Sequence, residues 1–225
     1  MTVKAPVGRS PQTYVDFATA DLLEQNSKRT RVNAISNAKR ALHFQVDLLS
    51  DALGFNQSPL RKRNNFPEKL NFCGKCGIVA PRILEKINRQ RNALEHDYYI
   101  PTRPQSEDFL DVVMLFLGAT NRLLAFFPCN VELTSIDDFP DKRPQIFLSA
   151  DLTPGAGVLK LTLNQMSIGL KKYLELAHIE KTKSLHPNLD AVYSAVRMAH
   201  SKRSSLVVTA PQGEVYCKWL SVIRL

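Results

Sequence analysis

The chain has 225 residues, of which 44% are hydrophobic and 23% charged, proportions that exclude a disordered protein. No apolar run reaches the roughly 18 residues of a membrane span, and the first residues hold no apolar core of signal-peptide length, so we expect a cytoplasmic protein. Lysine and arginine outnumber aspartate and glutamate by 30 to 21, giving a net charge of +9, which favours a polyanionic partner.

Two helices are predicted before residue 54. Residues 1–10 have little apolar content and are predicted to form a flexible N-terminus, and a first helix is predicted over Pro11–Gln25. Over Val32–Leu53, apolar residues recur at steps of three and four, the pattern of an amphipathic helix, and Gly54 is expected to end it. The stripe predicted to be buried is Ile35, Ala38, Leu42, Val46, Leu49 and Leu53. On its polar side, Arg40, His43 and Asp47 are interpreted as a surface ion pair.

A long connection is predicted from Asn56 to Gly77, because the segment holds two prolines, two glycines and several asparagines. Its basic residues are candidates for contacts with RNA phosphates: Arg61, Lys62 and Arg63. Cys73 and Cys76 form half of a zinc knuckle, "CGKCG", but the second half is missing. Cys129 and Cys217 stand alone in the sequence, so we predict two reduced thiols and no metal. A zinc ion shared between two subunits is the alternative.

A third helix is predicted from Pro81 to about Tyr99, because Ile100 precedes a proline and is driven towards extended geometry. A fourth is predicted from Ser106, as its N-cap, to Phe127, with Pro128 closing it. Four helices joined by such connections predict a helical bundle over residues 11–128.

After Pro128 the pattern changes to short β-branched or alternating runs bounded by Pro, Gly and Asp. The predicted strands are 131–136, 145–150, 157–163, 205–210 and 214–223, with helical stretches at 168–178 and 189–199. We therefore predict a small α+β accessory domain over residues 129–225, and a multi-domain chain that combines an all-α and an α+β part.

The stretch "RQRNALEHDYY" at residues 89–99 concentrates chemically active side chains on the third predicted helix. At 100° per residue, Arg89, Asn92, His96 and Tyr99 share one stripe, whereas Arg91 lies about 140° from His96. A histidine in the last helical turn is favoured as imidazolium, and an arginine supplies planar donors to phosphate. Together they suffice to cleave RNA without a metal.

"RNALEH" followed by "DY" resembles the signature of the HEPN family, the higher eukaryote and prokaryote nucleotide-binding domains. The resemblance covers residues 11–128 and implies a four- or five-helix bundle that forms a homodimer. Many HEPN domains are metal-independent ribonucleases of toxin–antitoxin, phage-defence and RNA-processing systems that need no cofactor. The resemblance implies Arg91, Asn92 and His96 as the catalytic residues. It also fits Arg-x4-His-x-Tyr, the form found in HEPN toxins whose antitoxin is a nucleotidyltransferase, which makes Tyr98 a site of adenylylation.

Alternatives stay open at this point. Arg89, six residues before His96, also satisfies the motif, and with Tyr99 it is a candidate for lining the site. We prefer Arg91 because Asn92 follows it; in a dimer, Arg91 of one copy and His96 of the other would meet near the two-fold axis. The expected function is a dimeric endoribonuclease acting on RNA. The alternatives are a non-catalytic HEPN module that binds RNA or nucleotide or dimerises, and a toxin regulated by an antitoxin partner through Tyr98.

Overall fold

The structure is a computed structural model. It describes residues 10–57, 64–78, 100–135, 145–163 and 206–209, together with Cys217 and Leu220. In this part of the chain, four α-helices precede a four-stranded antiparallel sheet, so the predicted order of a helical part followed by a part containing strands is confirmed. The helices are α1 Pro11–Leu23, α2 Lys28–Ala52, α3 Phe66–Lys75 and α4 Arg103–Ala125, with a short 3-10 turn, Phe55–Gln57, after α2.

The first two predicted helices are confirmed. Ser10 caps α1 by accepting a hydrogen bond from the backbone N–H of Thr13, and α1 ends two residues before the predicted Gln25. Helix α2 begins four residues earlier than predicted, because Ser27 and Thr30 form a reciprocal capping box. It ends before Gly54, whose φ of +86° is a conformation that glycine adopts without strain. All six residues of the predicted stripe are buried.

The prediction of a long connection over residues 56–77 is wrong, because residues 66–75 form helix α3. Asn65 caps this helix by accepting a hydrogen bond from the backbone N–H of Glu68, and Pro67 is tolerated in the first turn. The helix exists because it buries one face, formed by Phe66, Leu70, Phe72 and Cys73. Tertiary packing here overrides the low helix propensity of its proline, asparagine and glycine.

The last predicted helix of the helical part is confirmed, but its predicted N-cap is wrong. Thr102, not Ser106, caps α4 and forms a capping box with Gln105. Ser106 lies inside the first turn, where its buried hydroxyl donates to the Thr102 carbonyl at 3.1 Å. Helix α4 ends at Ala125, two residues before the predicted Phe127.

Four of the five predicted strands are confirmed. They are β1 Asn130–Ser135, β2 Gln145–Leu152, β3 Val158–Leu163 and β4 Leu206–Thr209, which pair in that order, each antiparallel to the next. The fifth prediction, 214–223, is wrong at its two described residues. Cys217 and Leu220 are α-helical and both buried, because a spacing of three places them on one face of a helix rather than on opposite faces of a strand.

Helix α2 is central, since it packs against α1, α3 and α4. The sheet adds to the same core, because the buried Ala150, Leu152 and Leu159 are continuous with the buried residues of the helices. The turn between β2 and β3 also reaches the end of α2, where the N–H of Gly155 donates to the carbonyl of Ala52 at 2.8 Å. The predicted boundary near residue 128 coincides with the change from helix to strand. Whether the two parts are separate domains stays a prediction.

Among the described helices, none is long and apolar enough to span a bilayer. The predicted third helix, the predicted helices at 168–178 and 189–199, and residues 1–9 lie outside the described residues.

Candidate functional site

The residues predicted to form the site lie outside the described part of the chain. This holds for the motif residues Arg89, Arg91, Asn92, His96, Tyr98 and Tyr99, and for the basic triplet Arg61, Lys62 and Arg63. Their roles therefore stay predictions. The structure does describe the chain on either side of the motif segment, at the end of α3 and just before α4.

Helix α3 ends in a Schellman motif at Ile78, eleven residues before Arg89, the first residue of the motif segment 89–99. The N–H of Ile78 donates to the Cys73 carbonyl at 3.2 Å, and the N–H of Gly77 donates to the Gly74 carbonyl at 3.0 Å. Gly77 has a φ of +82°, as this motif requires at the residue after the C-cap. Gly77, the second glycine of "CGKCG", thus ends the helix, and two hydrogen bonds fix the backbone direction at residue 78.

The chain after the motif segment is fastened to the α1–α2 junction by two arginines. Arg31 donates from Nε to the Pro101 carbonyl at 2.8 Å and from Nη1 to the Asn26 side chain at 2.7 Å. Arg103 donates from Nη2 to the Leu22 carbonyl at 3.2 Å. Pro101, two residues after Tyr99, is therefore held against α2. The sequence analysis did not single out Arg31, because nothing local signals that its guanidinium binds a carbonyl 70 residues away.

Cys217, which stands alone in the sequence, lies beside Cys76 in the structure. The thiol of Cys76, at the C-cap of α3, donates a hydrogen bond to the sulfur of Cys217 at 3.6 Å. Cys73, Cys76 and Cys217 are all buried, and none of the four cysteines forms a disulfide. Helix α3 is thereby packed against Cys217. No spacing in the sequence predicts this contact, because Cys76 and Cys217 are 141 residues apart.

Burial and mutual proximity keep these thiols protonated. Burial, and secondarily the neighbouring Cys217, raises the pKa of Cys73 from 9.0 to about 12. The hydrogen bond to Cys217, followed by burial, raises the pKa of Cys76 well above 9.0. A protonated buried thiol is a poor nucleophile, so we interpret these cysteines as packing residues. Within the described ranges, no group of three or more His, Cys, Asp or Glu side chains is arranged to hold a metal ion.

The polar residues on the outer side of α2 pair differently from the predicted ion pair. Arg40 donates to the side chain of Asn37 at 3.0 Å, and Asn37 in turn donates to the carboxylate of Asp21 at 2.9 Å. Asp47 binds Lys69 of α3 at 2.7 Å. Asp47 therefore has an ion pair, but its partner comes from the helix that the sequence analysis missed.

His43 lies on the same outer side of α2 and stacks on Phe66 of α3, with ring centroids 4.3 Å apart and planes inclined by 17°. A flat stack of this kind fixes the ring orientation and contributes packing energy. His43 therefore joins α2 to α3 rather than standing in open solvent.

A buried polar contact lies between α2 and α4. Gln45, 1% exposed, donates from Nε2 to the Thr120 hydroxyl at 2.7 Å and to the Asn121 side chain at 3.0 Å. The Thr120 hydroxyl in turn donates a hydrogen bond to the Phe116 carbonyl at 2.7 Å. These bonds join α2 to α4 inside the core, while Oε1 of the same Gln45 is buried without a hydrogen-bond partner among the described residues.

Comparison of the chain with models of known protein families, with curated proteins and with solved structures gave no match. The case for a functional site therefore depends on the chain's own residues and chemistry.

Proposed function

We propose that the protein is a metal-independent endoribonuclease of the HEPN type. The observation that carries the proposal is the spacing of Arg91, Asn92, His96 and Tyr98 in one short segment. The anchoring of Pro101 by Arg31 supports it, because a site that aligns a phosphate needs a fixed backbone close by. The net charge of +9 suits a polyanionic substrate.

The chemistry needs no group beyond this chain and its substrate. A base removes the proton of the ribose 2′-hydroxyl, and the 2′-oxygen attacks the adjacent phosphorus. The bond to the 5′-oxygen breaks as that oxygen gains a proton, which leaves a 2′,3′-cyclic phosphate and a 5′-hydroxyl. His96 transfers protons, Arg91 stabilises the added negative charge in the transition state, and Asn92 orients His96 or the phosphate. A homodimer brings Arg91 of one copy to His96 of the other.

Two other functions share the same segment. A non-catalytic module would bind RNA or nucleotide, or simply dimerise, through it. A regulated toxin would be silenced when an antitoxin adenylylates Tyr98, and would be active while Tyr98 is unmodified. The experiments below separate the non-catalytic module from a nuclease, and Tyr98→Phe tests the regulated toxin, because it would keep cleavage but could not be adenylylated.

The first experiment incubates the purified protein with mixed RNA in EDTA, beside His96→Ala and the matched control His178→Ala. We expect cleavage by the wild type and by His178→Ala, and a loss of about 10²- to 10⁴-fold in His96→Ala, the range that one general acid–base contributes. The ends of the products are identified by their resistance to, or labelling by, end-specific enzymes. Cleavage that is abolished by EDTA, or is equal in all three proteins, contradicts the proposal.

The choice between the two arginines needs a second pair of variants. Arg91→Ala should lose about 10²- to 10³-fold in rate, as when one donor to a developing anion is removed, whereas Arg89→Ala should change the rate by only a few fold. The reverse order would move the role to Arg89. Binding of RNA by His96→Ala without cleavage by the wild type would favour the non-catalytic module.

A further inference from the structure

One helix carries a long run of positive charge without an acidic residue. Between Glu24 and Asp47 there is no acidic residue, while Lys28, Arg29, Arg31, Lys39 and Arg40 supply five positive charges. The whole chain of 225 residues has a net charge of +9. All five basic residues belong to α2, whose only acidic residues are Asp47 and Asp51 near its C-terminal end, so the first three turns and the middle of this helix carry positive charge alone.

The structure shows which of these charges face outward. Lys28, Arg29 and Arg40 are exposed and Lys39 is half-buried. Arg40 donates to the side chain of Asn37 on the same helix, and Arg31 is turned away to the Pro101 carbonyl. At 100° per residue, the four remaining basic residues lie within a sector of about 120°. This sector, with the 41% exposed Val32 between its basic residues, is called the α2 basic face. The opposite side of the helix holds the buried Ala34, Ala38 and Leu42.

Two features distinguish this face from an ordinary solvated helix surface. Lys28 and Arg29 occupy the first turn, where the helix dipole favours acidic residues, and that turn contains none. The positions therefore cost helix stability, which is typical of residues retained for function. The second feature is that α2 holds no acidic residue before Asp47, which binds Lys69 of α3.

We propose that the α2 basic face binds the sugar–phosphate backbone of RNA. From Lys28 to Arg40 the helix rises about 18 Å, which is long enough to contact several successive backbone phosphates of a nucleic-acid strand. Basic side chains alternating with Val32 and small polar residues contact phosphates without reading bases. The choice of RNA rests on the proposed nuclease function, and the face would hold the substrate while the motif segment cleaves it.

The test compares two triple variants that each remove three exposed positive charges. Lys28→Gln/Arg29→Gln/Arg40→Gln alters the face, and Lys75→Gln/Arg122→Gln/Lys160→Gln removes the same charge elsewhere. Both are made in a His96→Ala background, and binding of a fluorescent 20-nucleotide single-stranded RNA is measured by anisotropy from 0.05 to 0.3 M salt. Circular dichroism melts confirm that both variants fold.

We expect the face variant to bind about 10- to 100-fold more weakly at 0.1 M salt, and the slope of log K against log[salt] to fall by about 2, which is 0.7 for each of three lost contacts. The control should stay within about threefold of the parent, with a smaller change in slope. Equal weakening in both variants, or none in the face variant, overturns the proposal. So does face-dependent binding to vesicles containing an anionic lipid without any binding to RNA.

The design separates this proposal from the proposed function. If His96→Ala leaves cleavage unchanged but the face variant still loses RNA binding, the nuclease assignment fails and the face stands. If His96→Ala abolishes cleavage while the face variant binds RNA like its parent, the face fails and the nuclease assignment stands.

Discussion

The helical part and the sheet form their hydrogen bonds over very different distances along the chain. Helices α1, α2 and α4 are closed by local bonds, and each begins at a side-chain cap within three residues. The sheet instead joins distant residues, as where Val158 of β3 pairs with Thr209 of β4. Local patterns therefore mark where helices begin and end, whereas strand partners depend on how the chain closes on itself.

The two parts are nevertheless joined at one end of α2. The β2–β3 turn caps the helix through Gly155 and Ala52, and Gly54 approaches Gly157 so closely that a Cβ on Gly54 would overlap the backbone of Gly157. Together with the continuous core, this contact predicts that the helices and the sheet unfold together. A chain of two independent domains would unfold in two steps.

The largest expected effect comes from changing one buried leucine to alanine, either in the helical part or in the sheet. Leu42 of α2 and Leu159 of β3 are both 0% exposed, and either change to alanine should lower the free energy of unfolding by about 2–5 kcal/mol. Urea unfolding followed by circular dichroism should show one transition that both variants shift. Leu115→Ala, at a 74% exposed position, is the control and should leave the midpoint almost unchanged. Two transitions, each shifted by only one variant, would establish independent domains.

A somewhat smaller effect is expected where the two parts meet. Gly54→Ala forces a side chain into a positive φ and against Gly157, at a cost of about 2–4 kcal/mol. Gly118→Ala is the matched control, because it lies within α4 with nothing within 4 Å of its added Cβ. It should stabilise the protein by up to about 1 kcal/mol. The difference is measured as the shift in urea midpoint, and equal shifts would argue against the close contact of the turn with α2.

The smallest effect, taken over one pH unit, is expected in the alkaline pH dependence of stability. The folded-state pKa of Cys73 is raised from 9.0 to about 12, so the unfolded chain loses this proton first as the pH rises. Stability present below pH 9 should therefore decline as the pH rises from about 9 towards 12, by at most about 1 kcal/mol per pH unit for this thiol.

Urea unfolding at successive pH values measures that decline. Cys73→Ala should make the decline of the unfolding free energy with pH less steep, because the contribution of this thiol is lost. This holds whatever the variant does to stability at pH 7. Cys129→Ala retains Cys73 and serves as the control, which should keep the wild-type slope. A slope that is identical in both variants would show that Cys73 is not the titrating group.

The sequence predicted α2 well because every residue of its buried stripe follows a single period and a glycine ends it. It failed at α3, whose ten residues include proline, asparagine and glycine and whose helix depends on burying Phe66, Leu70 and Phe72. In the candidate site, the spacing of Arg91, Asn92 and His96 is a property of the sequence. The basic run of α2 was also visible there, as 22 residues without an acid, but which of its charges face outward was not.

What the sequence by itself determined is therefore local: helix periods, caps, β-branched runs, net charge and the motif of residues 89–99. The tertiary structure alone decided the contacts between distant residues. These include Arg31 with Pro101, Cys76 with Cys217, Asp47 with Lys69, and the β2–β3 turn on the end of α2. The physical reason is that a period or a cap acts over one helical turn, whereas these pairs form only after hydrophobic burial has brought separate elements together.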